Sequence, residues 1–146
     1  SILDVGCGKG FMLHDFSLLM PRAQLQGLDV SDYAISNAHP PIKDRLHVGD
    51  ARRLPFTDGS FDLVTSINVA HNFELDECAR AILEVQRVAR RHAFIVVDAW
   101  RDEAQKQALD KWVLTCVTAM HVDDWEAFFA RIGYTGDWAW TITETL

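Results

Sequence analysis

The feature that most constrains this chain is residues 2–10, where a short apolar run ends in an acid and glycines follow at alternate positions. Gly6, Gly8 and Gly10 lack a Cβ atom, so the backbone can turn tightly and a ligand can approach it closely. Asp4 places a negative charge beside the turn, which disfavours a phosphate and favours a cationic ligand. The segment therefore predicts a buried strand that leads into a ligand-binding turn.

Strand-like and helix-like patterns alternate along the rest of the chain. We expect strands at 2–5, 24–30, 46–49, 61–66, 93–97 and 138–143, and helices at 11–19, 32–38, 75–89, 102–119 and 123–132. Ser31 is placed to cap the second helix, Asp123 and Asp124 to begin the last one, and Gly133 to close it. This alternation predicts an α/β fold, a Rossmann-like, doubly wound and mostly parallel sheet with helices on both faces, in three layers.

Acidic residues end four of the predicted strands, at Asp4, Asp29, Asp50 and Asp98. Ligands of such sheets bind at the carboxyl ends of the strands, so these acids mark the expected site. A carboxylate at the end of the second strand can accept two hydrogen bonds from a ribose diol. A dinucleotide fingerprint would have a glycine where Phe11 stands, and this difference disfavours a nicotinamide cofactor.

Four motifs in this order resemble those of class I S-adenosylmethionine-dependent methyltransferases of the small-molecule type, which include the ubiquinone and menaquinone methyltransferases. The resemblance covers roughly residues 1–100. Its motifs are the glycine turn at 4–10, the second-strand acid within 28–31, the run 49–56 and the run 60–64.

The resemblance implies a site for S-adenosylmethionine at the strand ends. Asp4 would lie near the ammonium group of the cofactor, and Asp29 would bind the ribose hydroxyls. Asp50 would accept from the adenine amine, and the Ala51 amide would face a ring nitrogen. The full set of expected cofactor-binding residues is Asp4, Gly6, Cys7, Gly8, Gly10, Asp29, Val30, Asp50, Ala51, Ser66, Ile67 and Asn68.

The implied reaction is S-adenosylmethionine-dependent methyl transfer to a small-molecule acceptor by in-line displacement. Alignment and exclusion of water can drive such a reaction, so no dedicated catalytic residue is required. His71 is a candidate general base, with packing or loop hydrogen bonding as the alternative, and Asp98 and Trp100 are candidates for the pocket wall. Two other readings stay open, a non-catalytic binding domain of the same fold and an NAD-dependent oxidoreductase.

The three cysteines follow no paired spacing, which favours a reducing, cytoplasmic location. Cys7 lies inside the glycine turn, where its small size explains its presence better than a nucleophilic role. His121, Asp123 and Asp124 could suggest a metal site, but adjacent acids are more typical of a helix N-terminus. We therefore expect no metal.

The formal net charge is −7, so binding to nucleic acid is not expected. The sequence has no apolar run long enough to cross a membrane. We expect a single methyltransferase domain over residues 1–146 that lacks the helices usual before the first strand. A trimmed chain would explain this, or a homodimer partner that covers the site and the sheet edge. The helix expected at 102–119 is a candidate lid.

Overall fold

In the computed structural model, which describes residues 1–143, seven strands form a sheet in the order β3-β2-β1-β4-β5-β6, and β7 also pairs with β5. Every pairing in this sheet is parallel. The strands are β1 (Ile2–Val5), β2 (Leu25–Asp29), β3 (Leu46–Val48), β4 (Phe61–Ile67), β5 (Ala89–Trp100), β6 (Met120–His121) and β7 (Asp137–Thr141).

The helices connect these strands, as the alternating sequence pattern predicts. They are α1 (Phe11–Leu19), α2 (Asp32–Ser36), α3 (Leu75–Val88), α4 (Glu103–Trp112) and α5 (Val122–Ile132), with short 3-10 helices at Pro40–Arg45 and Ala70–Asn72. The predicted cap at Ser31 is present, since its side chain accepts a hydrogen bond from the Ala34 amide at 3.1 Å. Gly133 closes α5 with φ +77°, also as predicted.

Two apolar cores lie on opposite faces of the sheet, because successive side chains of a strand point to opposite sides. On β1, Leu3 and Val5 belong to the larger core, which contains buried residues of α3 and α5. Ile2 belongs to the smaller core, which contains Leu13 of α1. The predicted α/β fold with helices on both faces is therefore confirmed.

The sheet order reverses direction at β1, because β2 pairs along one edge of this strand and β4 along the other. In open α/β sheets such a reversal leaves a crevice at the carboxyl ends of the strands. Asp4 and Val5 end β1 at this point, and the glycine turn follows directly. The topology therefore places the turn where a ligand has access to the sheet.

The helix predicted at 102–119 is the largest error, since α4 ends at Trp112. Residues 113–119 instead lie against the loop after β4, where the amides of Val117 and Thr118 donate to the His71 carbonyl at 2.9 and 2.8 Å. These bonds between distant segments replace the helical ones. A lid helix over 102–119 is therefore not formed.

Other boundaries differ less. Strand β5 is longer than the predicted 93–97 because it pairs with Phe61 near its start and with β6 at its end. The second helix stops at Ser36 rather than at residue 38, and the last strand spans 137–141 rather than 138–143. Helix α5 begins at Val122, and its cap is the His121 side chain, which accepts from the Asp123 amide at 3.2 Å. The acids thus occupy the first turn of this helix, and its cap is the histidine before them.

Within residues 1–143, no helix combines the length and apolarity that a membrane crossing requires.

Candidate functional site

The glycine turn after β1 holds a backbone conformation that other residues rarely adopt. Gly6, Gly8 and Gly10 have φ angles of +81°, +54° and +81°. A Cβ atom at Gly6 would overlap the Val69 side chain, and one at Gly10 would lie 2.8 Å from Ile42 Cγ2. A Cβ at Gly8 would meet nothing within 4 Å. Gly6 thus allows the segment after β4 to approach the turn closely.

Asp29 connects the end of β2 to this turn. Its Oδ2 accepts from the Gly8 amide and its Oδ1 from the Ser31 amide, both at 2.8 Å. A carboxylate offers about four acceptor positions, so each oxygen retains capacity for another donor. Asp29 therefore both fixes the turn and can still bind a pair of hydroxyl groups.

Asp4 lies beneath the turn with 4% of its surface exposed. Thr65 donates a hydrogen bond to Asp4 Oδ1 at 2.8 Å. Burial raises the pKa of Asp4 to about 6, with a smaller contribution from the charge of Asp29, while the Thr65 hydrogen bond opposes the rise. A cation above the turn would stabilise the ionised form of this acid.

A cavity of about 290 Å³ lies between the turn and the ends of β2 and β4, and we call it the first cavity. Six of the predicted cofactor-binding residues line it, namely Gly6, Asp29, Val30, Ala51, Ile67 and Asn68. Its other lining residues are Leu28, Gly49, Val69, Asn72 and Phe73. The sequence reasoning missed Phe73, which lies in a loop without a motif of its own.

The other six predicted residues lie outside the lining of this cavity: Asp4, Cys7, Gly8, Gly10, Asp50 and Ser66. The Ser66 side chain is buried within β4. Cys7 packs against the smaller core, and burial together with the charges of Asp4 and Asp29 raises the pKa of its thiol to about 12. A neutral, half-buried thiol agrees with the packing role expected for Cys7.

The carboxylate of Asp50 is already engaged by Arg52. Its Oδ1 accepts from the Arg52 amide at 2.8 Å, and its Oδ2 accepts from Nη2 at 2.7 Å. The side-chain hydrogen bonds from Arg52 lower the pKa of Asp50. The same guanidinium also binds Glu77 and lies over the Phe73 ring, 4.9 Å from its centroid. Arg52 therefore joins two acids and packs against Phe73, a lining residue of the first cavity.

A second cavity, of about 670 Å³, shares Asn68 with the first. It combines four polar residues of the loop after β4 and of the ends of β5 and β7 with residues from α4 and the segment that follows. Its lining consists of Asn68, His71, Asp98, Leu109, Trp112, Val113, Leu114, Thr115, Thr141, Ile142 and Thr143. The predicted wall residue Asp98 is among them, whereas Trp100 is not.

Asn68 is held firmly between the two cavities. Its φ angle is +57°, the one positive value among the non-glycine residues that the structure describes. Its amide donates to the Val96 carbonyl at 2.9 Å, and its Oδ1 accepts from the Thr141 hydroxyl at 2.9 Å. The residue thus ties the end of β4 to the ends of β5 and β7.

His71 and Asp98 are both buried and lie side by side in the second cavity. The Asp98 amide donates to His71 Nδ1 at 2.8 Å, so the neutral ring carries its proton on Nε2. Nε2 lies 3.6 Å from Asp98 Oδ2. Burial lowers the pKa of His71, and the charge of Asp98 opposes this. Because neither nitrogen of the neutral ring has a free lone pair, the geometry disfavours His71 as a general base.

Ligand atoms of His71, Asp98 and Cys116 lie within 4.8 Å of one another. A metal ion here would require the lone pair of His71 Nε2, which carries the proton. Burial, together with the charge of Asp98, raises the pKa of the Cys116 thiol to about 11, so a thiolate ligand is also disfavoured. The donor set therefore suits a polar cavity wall better than a metal site.

Comparison with known proteins identifies relatives of this arrangement. Residues 3–97 match a family model described as a methyltransferase domain. A tRNA (carboxymethyluridine(34)-5-O)-methyltransferase of Arabidopsis thaliana is 32% identical over 85% of this chain and 30% of its own length. A demethylmenaquinone methyltransferase of Roseiflexus sp. is 37% identical over 60% of this chain and 37% of its own length. The chain thus spans about a third of each of these relatives.

Among solved structures, the YcgJ protein of Bacillus subtilis aligns with a TM-score of 0.67 and 26% identity. The alignment covers 90% of this chain and 60% of that one. This share of the chain is larger than the one matched by the family model over residues 3–97.

Proposed function

The chain belongs to the class I S-adenosylmethionine-dependent methyltransferase family, and we propose that it transfers a methyl group to a small-molecule acceptor. The observation that carries this proposal is the meeting of two unlike cavities at Asn68. The first is built on a glycine turn and a strand-end acid. The second is larger and combines polar side chains at the strand ends with apolar ones from α4 and the segment after it. This is the arrangement that a donor and an acceptor need if they are to react with each other.

The first cavity fits S-adenosylmethionine, the cofactor of this family. Asp29 retains acceptor positions for a ribose diol, and the close approach of Val69 to Gly6 leaves a smooth apolar wall. Asp4 and Asp29 supply negative charge beside a cationic ligand. When bound, the cofactor supplies a methyl group on a positively charged sulfur, ready for displacement in line with the acceptor.

The residues of this chain then have four tasks. Asp29 orients the cofactor by binding the ribose hydroxyls, and the negative charge of Asp4 attracts the ammonium group of the cofactor. Ile67 and Val69 exclude water from one side. Asn68, held by β5 and β7, fixes the distance between the two ligands. Orientation of this kind can contribute about 7–11 kcal/mol to lowering the barrier.

A small molecule suits the second cavity better than RNA does. Within residues 1–143, none of its lining residues is a lysine or arginine, and the chain carries a formal charge of −7. A nucleic acid needs cationic side chains along its phosphates. The chain's kinship with a tRNA methyltransferase makes RNA the natural competing acceptor in any test.

The first experiment is calorimetric titration with S-adenosylmethionine, S-adenosylhomocysteine and NAD in parallel. We expect micromolar affinity for the first two and none for NAD. Asp29→Ala should lower both affinities by about 100-fold, since it removes two hydrogen bonds to a charged group. Asp15→Ala, an exposed acid on α1, serves as the matched control and should change nothing.

The second experiment offers methyl-labelled cofactor with a panel of small apolar acceptors and with tRNA. Transfer to a small molecule supports the proposal, and transfer to tRNA alone contradicts it. Cofactor binding without transfer to any acceptor would favour a non-catalytic domain. NAD binding without S-adenosylmethionine binding would overturn the cofactor assignment.

A further inference from the structure

We infer that His71 and Asp98 form a paired donor and acceptor that binds a neutral hydroxyl group on an apolar acceptor molecule, with Asp98 taking its proton. This inference rests on the proposed function and adds to it a substrate class and a catalytic residue. It also moves the role of base from the histidine to the aspartate. Four features of the second cavity support it.

The first feature is the tautomer of His71. The Asp98 amide reaches His71 Nδ1 at 2.8 Å, and this donor cannot be removed without breaking the backbone. Nδ1 is therefore an acceptor and Nε2 a donor. The His71 carbonyl also accepts from the amides of Val117 and Thr118, which holds the residue in place. The ring thus presents a fixed N–H group.

The second feature is the gap between His71 Nε2 and Asp98 Oδ2, which suits the hydroxyl group of an acceptor. His71 Nε2 and Asp98 Oδ2 are 3.6 Å apart, too far for a direct hydrogen bond but close enough for one oxygen atom to contact both. A hydroxyl group accepts from the N–H group and donates to the carboxylate. An ammonium group can only donate, and a carboxylate can only accept, so each would satisfy one member of the pair.

The third feature is the negative charge of Asp98 in the second cavity. A carboxylate or phosphate head group would face the Asp98 carboxylate, and the described residues of the cavity lining include no lysine or arginine to offset the repulsion. Burial strengthens this effect, since Asp98 is only 8% exposed. The cavity therefore selects against anionic acceptors.

The fourth feature is an apolar surface that can contact the body of the acceptor. Trp112 and Leu114 line the second cavity, yet they are 73% and 95% exposed. Leu109 and Val113 continue the apolar surface inward. Exposed apolar side chains around a polar pair are typical of a site for a molecule with an apolar body and one polar end.

The proton balance is simple. As the acceptor oxygen forms its bond to the methyl carbon, the carbon–sulfur bond would break and leave its electron pair on sulfur, with neutral S-adenosylhomocysteine as the leaving group, while the oxygen–hydrogen bond of the acceptor breaks. The electrons of the latter bond stay on oxygen, and the proton passes to the Asp98 carboxylate. The open side of the cavity then allows the proton to leave to solvent.

The test uses three probes with one body, namely 4-phenylbenzyl alcohol, 4-phenylbenzylamine and 4-phenylbenzoate, titrated with and without S-adenosylhomocysteine. We expect the alcohol to bind roughly tenfold or more tighter than the carboxylate, and also tighter than the amine. Asp98→Asn and His71→Gln should each reduce this preference to within about threefold. The exposed residues in Asp110→Asn and His92→Gln are matched controls and should leave it intact.

Equal or tighter binding of the amine or the carboxylate would overturn the inference, and so would failure of all three probes to bind. If the wild-type protein does not bind S-adenosylhomocysteine, that result would instead count against the proposed function. The two failures are therefore distinguishable.

A second readout does not depend on the variants folding. Nitrogen NMR of the wild-type histidine rings, assigned through bonds from the backbone, should show His71 as the Nε2–H tautomer, with its signal shifted by the alcohol probe. An Nδ1–H tautomer would contradict the inference. Once an alcohol substrate is known, Asp98→Asn should lower kcat more than KM changes.

Discussion

The cavity around Asp29 and the cavity around Asp98 both lie at the carboxyl ends of the strands, yet they are assembled differently. The first is made by consecutive residues of a turn and by neighbouring strand ends, and backbone amides hold its acid at 2.8 Å. The second combines residues from the loop after β4, from α4 and its following segment, and from the chain after β7. The first cavity is therefore part of the folded core, whereas much of the second is attached to that core from outside.

The contrast between the cavities has energetic consequences. A substitution around the first cavity should change stability and cofactor binding together. A substitution in the outer wall of the second should change ligand binding with little effect on stability. The four predictions below test this distinction, in order of decreasing effect on stability.

Gly6→Ala should cause the largest loss, about 4 kcal/mol of unfolding free energy, from a positive φ angle and overpacking against Val69. Chemical denaturation measures it. The double variant with Val69→Ala should recover the packing part, roughly half of the loss, because the overlapping side chain is gone. If the double variant is no more stable than Gly6→Ala alone, contact with Val69 is not the cause.

Asp4→Asn should act in the opposite direction and raise the unfolding free energy at pH 7 by up to about 3 kcal/mol, because it removes a buried charge. The pKa of Asp4 is raised to about 6 in the folded protein, so the folded state holds more protons than the unfolded chain between about pH 4 and 6. Wild-type stability should therefore fall, relative to the variant, as the pH rises through this range.

Denaturation of both proteins from pH 3.5 to 7.5 checks this prediction. A constant difference between them would contradict it. Cofactor affinity should fall in the same variant, since the negative charge beneath the turn is lost. Greater stability with weaker binding would show that this acid is retained for its ligand.

Gly8→Ala, in the glycine turn beside the first cavity, is matched with Gly133→Ala, at the end of α5 and outside the lining of both cavities. Both glycines have positive φ angles, and a Cβ atom at either would meet nothing within 4 Å. Each substitution should cost about 1 kcal/mol of stability from backbone strain alone. Only Gly8→Ala should also weaken S-adenosylhomocysteine binding, because its amide bonds to Asp29. Equal effects of the two substitutions on binding would contradict a specific role of the Gly8 turn in holding the cofactor.

Trp112→Ala should change the unfolding free energy by less than about 0.5 kcal/mol, because the side chain is largely exposed. It should weaken binding of 4-phenylbenzyl alcohol by roughly tenfold, through loss of aromatic contact. Leu18→Ala, an exposed apolar residue on α1, is the control for both measurements. A large loss of stability in Trp112→Ala would mean that the outer wall belongs to the core after all.

The same contrast explains what the sequence could predict. The strand–turn–acid pattern of residues 2–10 and Asp29 depends on contacts between neighbouring strands and on glycine geometry, so it can be read directly from the residue types. The Ser31 cap and the Gly133 closure are local in the same sense.

The second cavity could not be predicted in this way. Apolar spacing continues past Trp112, but residues 113–119 leave the helix because Val117, Thr118 and the Thr118 hydroxyl bond to His71 and Phe73 instead. Those partners are more than 40 residues away along the chain. The state of His71 is equally non-local, since it depends on a backbone amide 27 residues later.

Among the residues that the structure describes, Asn68 alone lines both cavities. Its backbone amide is hydrogen-bonded to β5 and its side chain to β7. A compound that joins a nucleoside to a biphenyl alcohol would therefore have to cross a single residue. A short linker keeps the effective concentration of the second group high, so the two modest affinities should combine with little loss. The thin wall between the cavities thus makes this protein a favourable target for bisubstrate inhibitors.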